Sequence, residues 1–310
     1  MSKINTTHLD AAESVFFERE LEHVKARTYD KKYDQFNHRE ILPVSYEADP
    51  ADEVIIHESY EQVGIAKIIS DYADDLPRSD VLARSFSTPI KSIGGSYGYS
   101  IQEIRRSMRA GKGLPERKAT ATRRSMMTEE ERIAWFGDAD TGLQGFFNNP
   151  NITVVAAAGK AAGGTTWAVA TVEEILADIR ALMNIPIVVT NGHERIQTIL
   201  MPDLQYGLLA TTQMNNVTNQ TVLQFVMENF KALGLQEIIP LFHLRAAGVA
   251  GVSRMIGYRK DPEYLTLEIP QDFEQFPPQQ RNLEFVVPCH QRHGGVRVYY
   301  PLAFASMDGI

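Results

Sequence analysis

Residues 54–89, VIIHESYEQVGIAKIISDYADDLPRSDVLARSFSTP, are the most informative stretch of this 310-residue chain. Runs rich in branched residues lie at Val54–Ile56, Gly64–Ile69 and Val81–Phe86, separated by Asp, Pro and Gly residues. Such runs are typical of β-strands. Because the stretch is strongly charged and only moderately apolar, it predicts a long, projecting two-stranded arm. Isolated hairpins are marginally stable in water, so the arm needs a surface to lie on.

The charge of the chain changes sign next to this arm. The whole chain has 39 acidic and 31 basic residues, a formal net charge of -8. Residues 41–80 hold ten acids against two bases, and residues 81–130 hold ten bases against four acids. The two blocks either neutralise each other within one molecule or form complementary surfaces on neighbouring subunits. The negative net charge of the whole chain disfavours non-specific nucleic-acid binding, which needs clustered positive charge.

Composition narrows the class of protein further. The single cysteine, Cys289, excludes an intramolecular disulfide framework. Residues 1–10 lack the apolar core of a signal peptide, and no apolar run approaches the roughly 18 residues that span a bilayer. We therefore expect a soluble, intracellular protein with no membrane partner.

Helical and strand patterns alternate irregularly along the chain, which favours an α+β fold. An amphipathic helix is predicted at 10–26. A long polar helix is predicted at about 116–136 and is expected to lie along a surface or between subunits, and not in the core. Capping boxes start further helices near Ser100, Thr171 and Thr221. Strands are predicted at 198–201, 238–239, 255–256, 265–269, 283–287 and 296–300.

One motif has the form of a catalytic element. Gly94-Gly-Ser-Tyr-Gly98 matches the G-x-S-x-G nucleophile elbow, in which a strained strand-to-helix turn exposes a serine, here Ser96. The run before it is not an apolar central strand, and no convincing Asp and His pair follows. A flexible glycine-rich hinge before a helix is the preferred interpretation, and a serine hydrolase is the alternative.

Two other motifs have some features of binding sites. Cys289, His290 and His293 are possible metal ligands, but no second Cys/His pair completes a tetrahedral set. We interpret them as a polar hairpin connection ending at Gly294–Gly295. The loop 158–164 lacks the G-K-[S/T] ending of a phosphate loop. We predict no catalytic, cofactor or metal site and no enzymatic activity.

Five segments carry a resemblance to a known family. They are FFERELEHV (16–24), IISDYADDLP (68–77), YGYSIQEI (97–104), RIAWFGD (132–138) and YPLAFASMDGI (300–310). Together with the order of the predicted elements along the chain, these five segments make it similar to tailed-phage (Caudoviricetes) major capsid proteins of the Hong Kong 97 fold. The resemblance covers nearly the whole chain.

The resemblance implies a division into parts. Residues 1–40 would form the N-terminal arm and residues 41–93 the extended E-loop. Residues 94–150 and 271–310 would form the peripheral domain with its spine helix. Residues 151–270 would form the axial domain around the five-fold and six-fold axes.

The resemblance also implies function and partners. The protein would assemble into pentamers and hexamers of an icosahedral shell that encloses double-stranded DNA, held on the inner face without sequence specificity. Expected partners are a portal protein and, because the chain begins almost directly at the N-terminal arm, a separate scaffolding protein. A decoration protein is a further candidate partner. The implied location is the virion capsid, assembled in the bacterial host cytoplasm. An encapsulin-type cellular compartment of the same fold is the alternative.

In this fold the E-loop of one subunit lies across the peripheral domain of its neighbour, so the resemblance favours charge pairing between subunits. The acidic candidates are Asp71, Asp74, Asp75 and Asp80. The basic candidates, which could instead face packaged DNA, are Arg117, Lys118, Arg123 and Arg124.

Overall fold

The structure, a computed structural model, describes residues 36–68, 78–110, 114–214 and 219–310. The helix predicted at 10–26 and the residues Asp71, Asp74 and Asp75 lie outside these ranges. The helices are α1 His38–Ile41, α2 Ile101–Ala110, α3 Leu114–Phe136, α4 Val172–Val189, α5 Asp203–Thr211 and α6 Val222–Asn229. The strands are β1 Val44–Ser45, β2 Val54–Val63, β3 Asp80–Pro89, β4 Lys91–Ser100, β5 Thr153–Ala156, β6 Thr198–Met201, β7 Glu237–Pro240, β8 Arg254–Tyr258, β9 Leu265–Glu268, β10 Gln271–Gln275, β11 Gln279–Arg281, β12 Glu284–His293, β13 Gly295–Val298 and β14 Ala305–Asp308.

The predicted two-stranded arm is confirmed. Strands β2 and β3 pair antiparallel along their whole length, from Val54 opposite Pro89 to Val63 opposite Asp80. The branched run at Gly64–Ile69 forms no strand over its described residues 64–68. Branched residues favour a strand only where a neighbouring strand is available to pair and pack. The described part of this chain supplies none at that point.

The body contains three further sheets within the described residues. A five-stranded sheet has the order β5-β14-β8-β6-β7, and a three-stranded sheet has the order β1-β9-β13. In the third sheet, β12 is flanked by β4 on one side and by β10 and β11 on the other. The segment 271–310 is therefore shared between sheets, because its last strand, β14, pairs with β5 and β8.

The glycine-rich motif lies inside β4, so its prediction as a hinge is wrong. Ser96 lies opposite Pro288 of β12, in mid-strand and not at the strand-to-helix turn of a nucleophile elbow. Glycine serves close packing here, since a Cβ on Gly95 would lie 3.3 Å from side-chain atoms of Met126 and Thr122 on α3. The strand ends in the predicted capping box, in which Ser100 and Glu103 bond each other's main-chain N–H.

The stretch from Cys289 to His293 is also extended. It belongs to β12 and pairs with β4 over its whole length, so its prediction as a hairpin connection is wrong. The side chains of Val287, Cys289, Gln291 and His293 alternate with more exposed ones and are buried. This period-two burial follows from one face of the sheet packing on α3.

The predicted long helix is confirmed as α3, but the prediction that it lies outside the core is wrong for its last third. Residues 117–125 are exposed or partly exposed, whereas most of the last third of the helix is buried. Trp135 is fully buried and stacks on Phe147, with ring centroids 4.9 Å apart. The apolar cluster at the end of the helix is sufficient to draw that end into the core.

A second core forms around α4. Capping boxes at Thr171 and Thr221 start α4 and α6, and all four residues of β6 are buried. Gly234, with φ of 110°, ends the turn that follows α6. The mixture of helices and sheets confirms the α+β class. Among the described helices, none has the length and apolar character needed to cross a bilayer.

Candidate assembly surfaces

The arm formed by β2 and β3 exposes apolar side chains along its length. Those on the two strands are Val54, Ile56, Tyr60, Val63, Val81, Leu82 and Phe86. Just beyond β2, Ile65 is 76% exposed and Ile68 is fully exposed. The pairing register places these side chains on both faces of the arm, with Ile56 and Tyr60 on one face and Leu82 and Phe86 on the other. Large areas of exposed apolar surface usually mark interaction sites. The arm therefore has the surface of a segment that is covered by another molecule.

The root of the arm is fixed to the body. Arg297 Nη2 donates a hydrogen bond to the Ile55 carbonyl at 2.8 Å. The His57 ring stacks on Phe86 and meets the edge of Tyr299, with both centroid distances 5.1 Å. Burial, together with the charge of Arg297, lowers the pKa of His57, which keeps its ring neutral at pH 7. The body thus determines the direction in which the arm leaves it.

The four basic candidates lie on α3, but they differ in their surroundings. Arg117 is exposed. Lys118 Nζ donates to the Gly98 carbonyl at 2.8 Å and to Glu103 Oε2 at 3.0 Å. Lys118 is therefore engaged within its own subunit, where it ties α3 to the end of β4.

Arg123 and Arg124 each lie over an aromatic ring. The guanidinium carbon of Arg123 is 5.6 Å from the Phe273 ring centroid, and that of Arg124 is 5.1 Å from the Phe36 ring centroid. Cation–π contacts at exposed sites are worth only about 0.5–1 kcal/mol and leave the charge in place. Arg123 is exposed, so its charge lies where a neighbouring molecule can meet it.

Among the acidic candidates, Asp80 lies in the described part of the chain. It is exposed at the start of β3, the end of the arm farthest from the root, and its Oδ1 accepts a hydrogen bond from the Val81 N–H at 2.8 Å. Asp71, Asp74 and Asp75 belong to the undescribed stretch 69–77 that joins the two arm strands.

The most connected polar group of the body is the carboxylate of Glu130 on α3, which is fully buried. Arg39 donates to it through Nε at 2.6 Å and Nη2 at 2.8 Å, and His38 Nε2 donates at 2.8 Å. Gln291 of β12 donates to it as well. Arg39 also contacts Asp272 of β10 at 2.9 Å. This carboxylate therefore joins α1, α3 and the sheet around β12.

The charge state of Glu130 follows from these donors. Burial alone would raise the pKa of the carboxyl, but the hydrogen bonds from His38 and Arg39 and the charge of Arg39 outweigh it. The pKa of Glu130 lies well below its ordinary value, and the hydrogen bond to Glu130 raises the pKa of Arg39. The pair is ionised at all ordinary pH values.

His293 lies beside this cluster and is buried. Burial lowers its pKa to about 4, and its Nδ1 accepts a hydrogen bond from the Gly295 N–H at 2.9 Å. Burial also raises the pKa of the Cys289 thiol. Nowhere in the described ranges do three or more Cys, His, Asp and Glu side chains form a group that could hold a metal ion.

A second buried ion pair lies in the other core. Lys160 Nζ donates to Asp178 Oδ2 of α4, and Trp167 Nε1 donates to the same oxygen at 2.8 Å. The Lys160 and Asp178 side chains are 1% and 3% exposed. The Asp178 carboxylate thus anchors the loop at 158–167 onto α4.

Neither buried cluster was predicted from the sequence. The partners of Glu130 are 91 to 161 residues away from it, so no local spacing reveals them. For Lys160, a signal was present: a lysine among small residues, 18 positions before an aspartate on the apolar face of a well-capped helix.

The comparisons with known proteins identify the family of the chain. The model of a family described as "Major capsid protein" matches residues 64–310. The chain belongs to this family. It is therefore a capsid shell protein, with a structural role and self-association into shells. No curated protein sequence matches it.

Solved capsids share the fold. The capsid of Myoviridae phage XM1 aligns with a TM-score of 0.81 at 19% identity, covering 94% of this chain and 98% of that one. The capsid of a native GTA particle aligns with a TM-score of 0.64 at 10% identity, covering 97% and 99%. A virus-like particle from Pyrococcus furiosus aligns with a TM-score of 0.52 at 14% identity, covering 87% and 91%. The prediction of a Hong Kong 97-like phage capsid fold is confirmed.

Proposed function

We propose that this capsid protein forms the pentamers and hexamers of an icosahedral shell around the double-stranded DNA of a tailed phage or prophage. The observation that carries this proposal is the arm, whose apolar side chains are exposed along two paired ten-residue strands. A segment of this kind is stable only against another surface, and in a shell every subunit offers one to its neighbour. The better agreement with the phage XM1 capsid than with the Pyrococcus furiosus particle supports phage over cellular compartment.

The parts of the subunit follow the same proposal. Residues 1–40 act as the N-terminal arm and 41–93 as the E-loop. Residues 94–150 and 271–310 build the peripheral domain around α3 as the spine helix, although β14 contributes to the five-stranded sheet. Residues 151–270 build the axial domain around the symmetry axes.

Electrostatic pairing between subunits is the proposed basis of cohesion. The acidic tip of the arm, with Asp80 exposed on it, would meet the basic first half of α3 on the next subunit, where Arg117 is exposed. Each exposed pair is worth roughly 0–1 kcal/mol, but the contact recurs at every subunit of the shell. A DNA-facing role for Arg117, Arg123 and Arg124 is the competing assignment.

The partners of the proposed shell are a portal protein, a separate scaffolding protein and a decoration protein, with packaged DNA on the inner face. Assembly takes place in the host cytoplasm, where the buried thiol of Cys289 stays reduced. An encapsulin-type shell with protein cargo is the second candidate, favoured by the likeness to the Pyrococcus furiosus particle. Shells isolated from the natural host distinguish the two, because a phage shell contains DNA and an encapsulin contains an enzyme.

The test of assembly is electron microscopy of the purified protein, with any required scaffolding protein co-expressed. We expect closed shells or capsomers that lose cohesion at high salt. The double variant Asp74→Lys/Asp75→Lys should remain folded by circular dichroism but fail to form shells. Normal shells from that variant would exclude the electrostatic contact, and small single particles from the unaltered protein would exclude the shell itself. If Arg117→Ala gives intact but empty shells, the DNA-facing role is correct.

A further inference from the structure

Helix α2 presents three arginines on one exposed face. Arg105, Arg106 and Arg109 are exposed, and so is Gln102, one turn before Arg106. The spacing i, i+3, i+4 and i+7 places these four side chains on the same side of a helix. Ile104 lies on the opposite side and is partly buried. We call Gln102 and the three arginines the arginine stripe.

The charge of the arginine stripe is not neutralised within the described part of its own subunit. The one acid of α2, Glu103, is already occupied, because its Oε2 accepts hydrogen bonds from the Ser100 N–H at 3.1 Å and from Lys118 Nζ at 3.0 Å. The hydrogen bond from Lys118 lowers the pKa of Glu103, and Arg106 contributes less to this lowering. The charge of Glu103 is thus matched by Lys118, and the ion pairs of the described residues include none of the three arginines. Three positive charges remain on the exposed face of α2.

The arginine stripe has a spacing that suits a row of phosphates. Arg105 and Arg109 are four residues apart, which is about 6 Å along a helix axis. The phosphates of one strand of B-DNA recur every 3.4 Å along its axis, so every second phosphate lies about 6.8 Å away. A planar guanidinium can bond two oxygens of one phosphate at once, which a lysine ammonium does not do. Arginines one helical turn apart can therefore contact phosphates of the same strand.

The composition of this face favours nucleic acid over a protein partner. Met108, which is 79% exposed, is the one large apolar side chain exposed among the described side chains of α2. Interfaces between proteins usually have an apolar centre, whereas surfaces that bind DNA are polar and strongly positive. The arginine stripe therefore fits the backbone of double-stranded DNA better than an acidic protein segment.

We propose that the arginine stripe of α2 binds the phosphates of the packaged double-stranded DNA without reading its sequence. The proposal rests on the proposed function, a shell around DNA, and names a helix that meets the DNA. Contacts to phosphates carry no sequence information by themselves, so unrelated duplexes should bind with similar affinity. The negative net charge of the whole chain is compatible with this contact, because the positive charge is local.

Duplex binding by the purified, unassembled subunit tests the contact. Fluorescence anisotropy of a short labelled duplex gives the binding constant at a series of salt concentrations. The logarithm of this constant falls with the logarithm of the salt concentration by about 0.9 for each phosphate contact. The variant Arg105→Gln/Arg106→Gln/Arg109→Gln should therefore reduce the slope by about 2.7 and weaken binding at low salt by about tenfold or more.

Two further variants separate a local contact from bulk charge. The same three positions changed to lysine keep their charge, and the salt slope should be nearly that of the unaltered protein, because counterion release depends on charge. The matched control removes the same number of charges from exposed arginines elsewhere, and its slope should also stay nearly unchanged. Equal losses in the control and in the glutamine variant of the stripe would overturn the proposal. The control positions are Arg180, Arg195 and Arg281.

Chemical modification of assembled particles tests the same contact without any substitution. A small dicarbonyl reagent modifies accessible guanidinium groups, and mass spectrometry of the digested protein locates the modified residues. We expect the arginines of the stripe to react in empty shells and to be protected at least several-fold in DNA-filled shells. The three control arginines should show no such difference between empty and filled shells.

The outcomes separate this proposal from the proposed function. If the unaltered protein forms no shells, the proposed function itself fails. If shells form and the stripe reacts equally in empty and filled particles, the DNA contact alone is wrong. Protection in both kinds of particle would mean that another subunit covers the stripe, and this result would also overturn the proposal.

Discussion

Removal of the Glu130 carboxylate should destabilise the subunit strongly. Glu130→Gln keeps the shape of the side chain but removes the charge that three donors share, and leaves the guanidinium of Arg39 with Asp272 alone. Breaking a buried ion pair by removing one partner costs about 3–5 kcal/mol. Because Arg39 is partly exposed and retains its contact with Asp272, we expect the lower end, about 3 kcal/mol.

Urea unfolding of the unassembled subunit measures this loss. The only two tryptophans of the chain, Trp135 and Trp167, are both buried, one in each core, so their fluorescence reports on unfolding. With a slope of about 3 kcal/mol per M, the expected loss moves the midpoint by about 1 M. Glu129→Gln is the matched control, because Glu129 is exposed and bonds Arg132 at the surface, where a pair is worth at most about 1 kcal/mol.

The pH dependence of the urea midpoint tests whether Glu130 is the ionised centre of this cluster. The pKa of Glu130 is depressed in the folded subunit, so its stabilisation is complete above the ordinary carboxyl pKa of about 4.3 and is lost as the pH falls below it. The midpoints of the unaltered protein and Glu130→Gln should therefore converge in acid. A loss below about 1 kcal/mol at pH 7, or an equal loss at pH 7 and pH 3, would show that Glu130 is not the ionised centre of this cluster.

Two further predictions concern the other buried charges. His293 has a pKa of about 4 in the folded subunit against about 6.5 when unfolded, so stability should rise by roughly 3 kcal/mol between these pH values. The variant His293→Asn keeps a hydrogen-bond acceptor for Gly295, and its urea midpoint should change less with pH across that range. The exposed control His193→Asn should leave the pH dependence of the midpoint unchanged. If the midpoint of His293→Asn depends on pH as steeply as that of the unaltered protein, the buried imidazole is not neutral in the folded subunit. Asp178→Asn leaves a buried ammonium and should cost about 3–5 kcal/mol in the same assay, and Lys160→Met with Asp178→Leu should recover most of it. No recovery in the double variant would mean that the loop needs the charge itself.

Local signals explain which elements the sequence could predict. The helices that begin after Thr171 and Thr221 are specified by capping boxes and a 3.6-residue apolar period, both contained within a dozen residues. The arm was predictable for a similar reason, because its two strands are close in sequence. In contrast, Gly94–Gly98 carries every local sign of a turn, and only its pairing with β12, almost 190 residues later, makes it a strand.

The candidate surfaces were predictable to the extent that their residues are exposed. Net charge by segment identifies an acidic block and a basic block, but it does not show that Lys118 bonds Glu103 within its own subunit. Nor does it show that Arg124 lies over Phe36. Sequence alone therefore overstates the basic surface available to a neighbour and leaves Arg117 as the candidate least engaged within its own chain.

The distribution of charge separates what holds a subunit together from what can join subunits. The buried charges of Glu130 and Asp178 bond partners within the same subunit, and such buried contacts are little affected by salt. The charges of the arm are exposed, so salt screens them over roughly 8–10 Å. Raising the salt concentration should therefore loosen contacts between subunits well before it weakens the fold. In the proposed pairing of subunits, the net charge of -8, which as a bulk property only disfavours nucleic-acid binding, would act at a specific place: between the acidic arm and the basic helix of the next subunit.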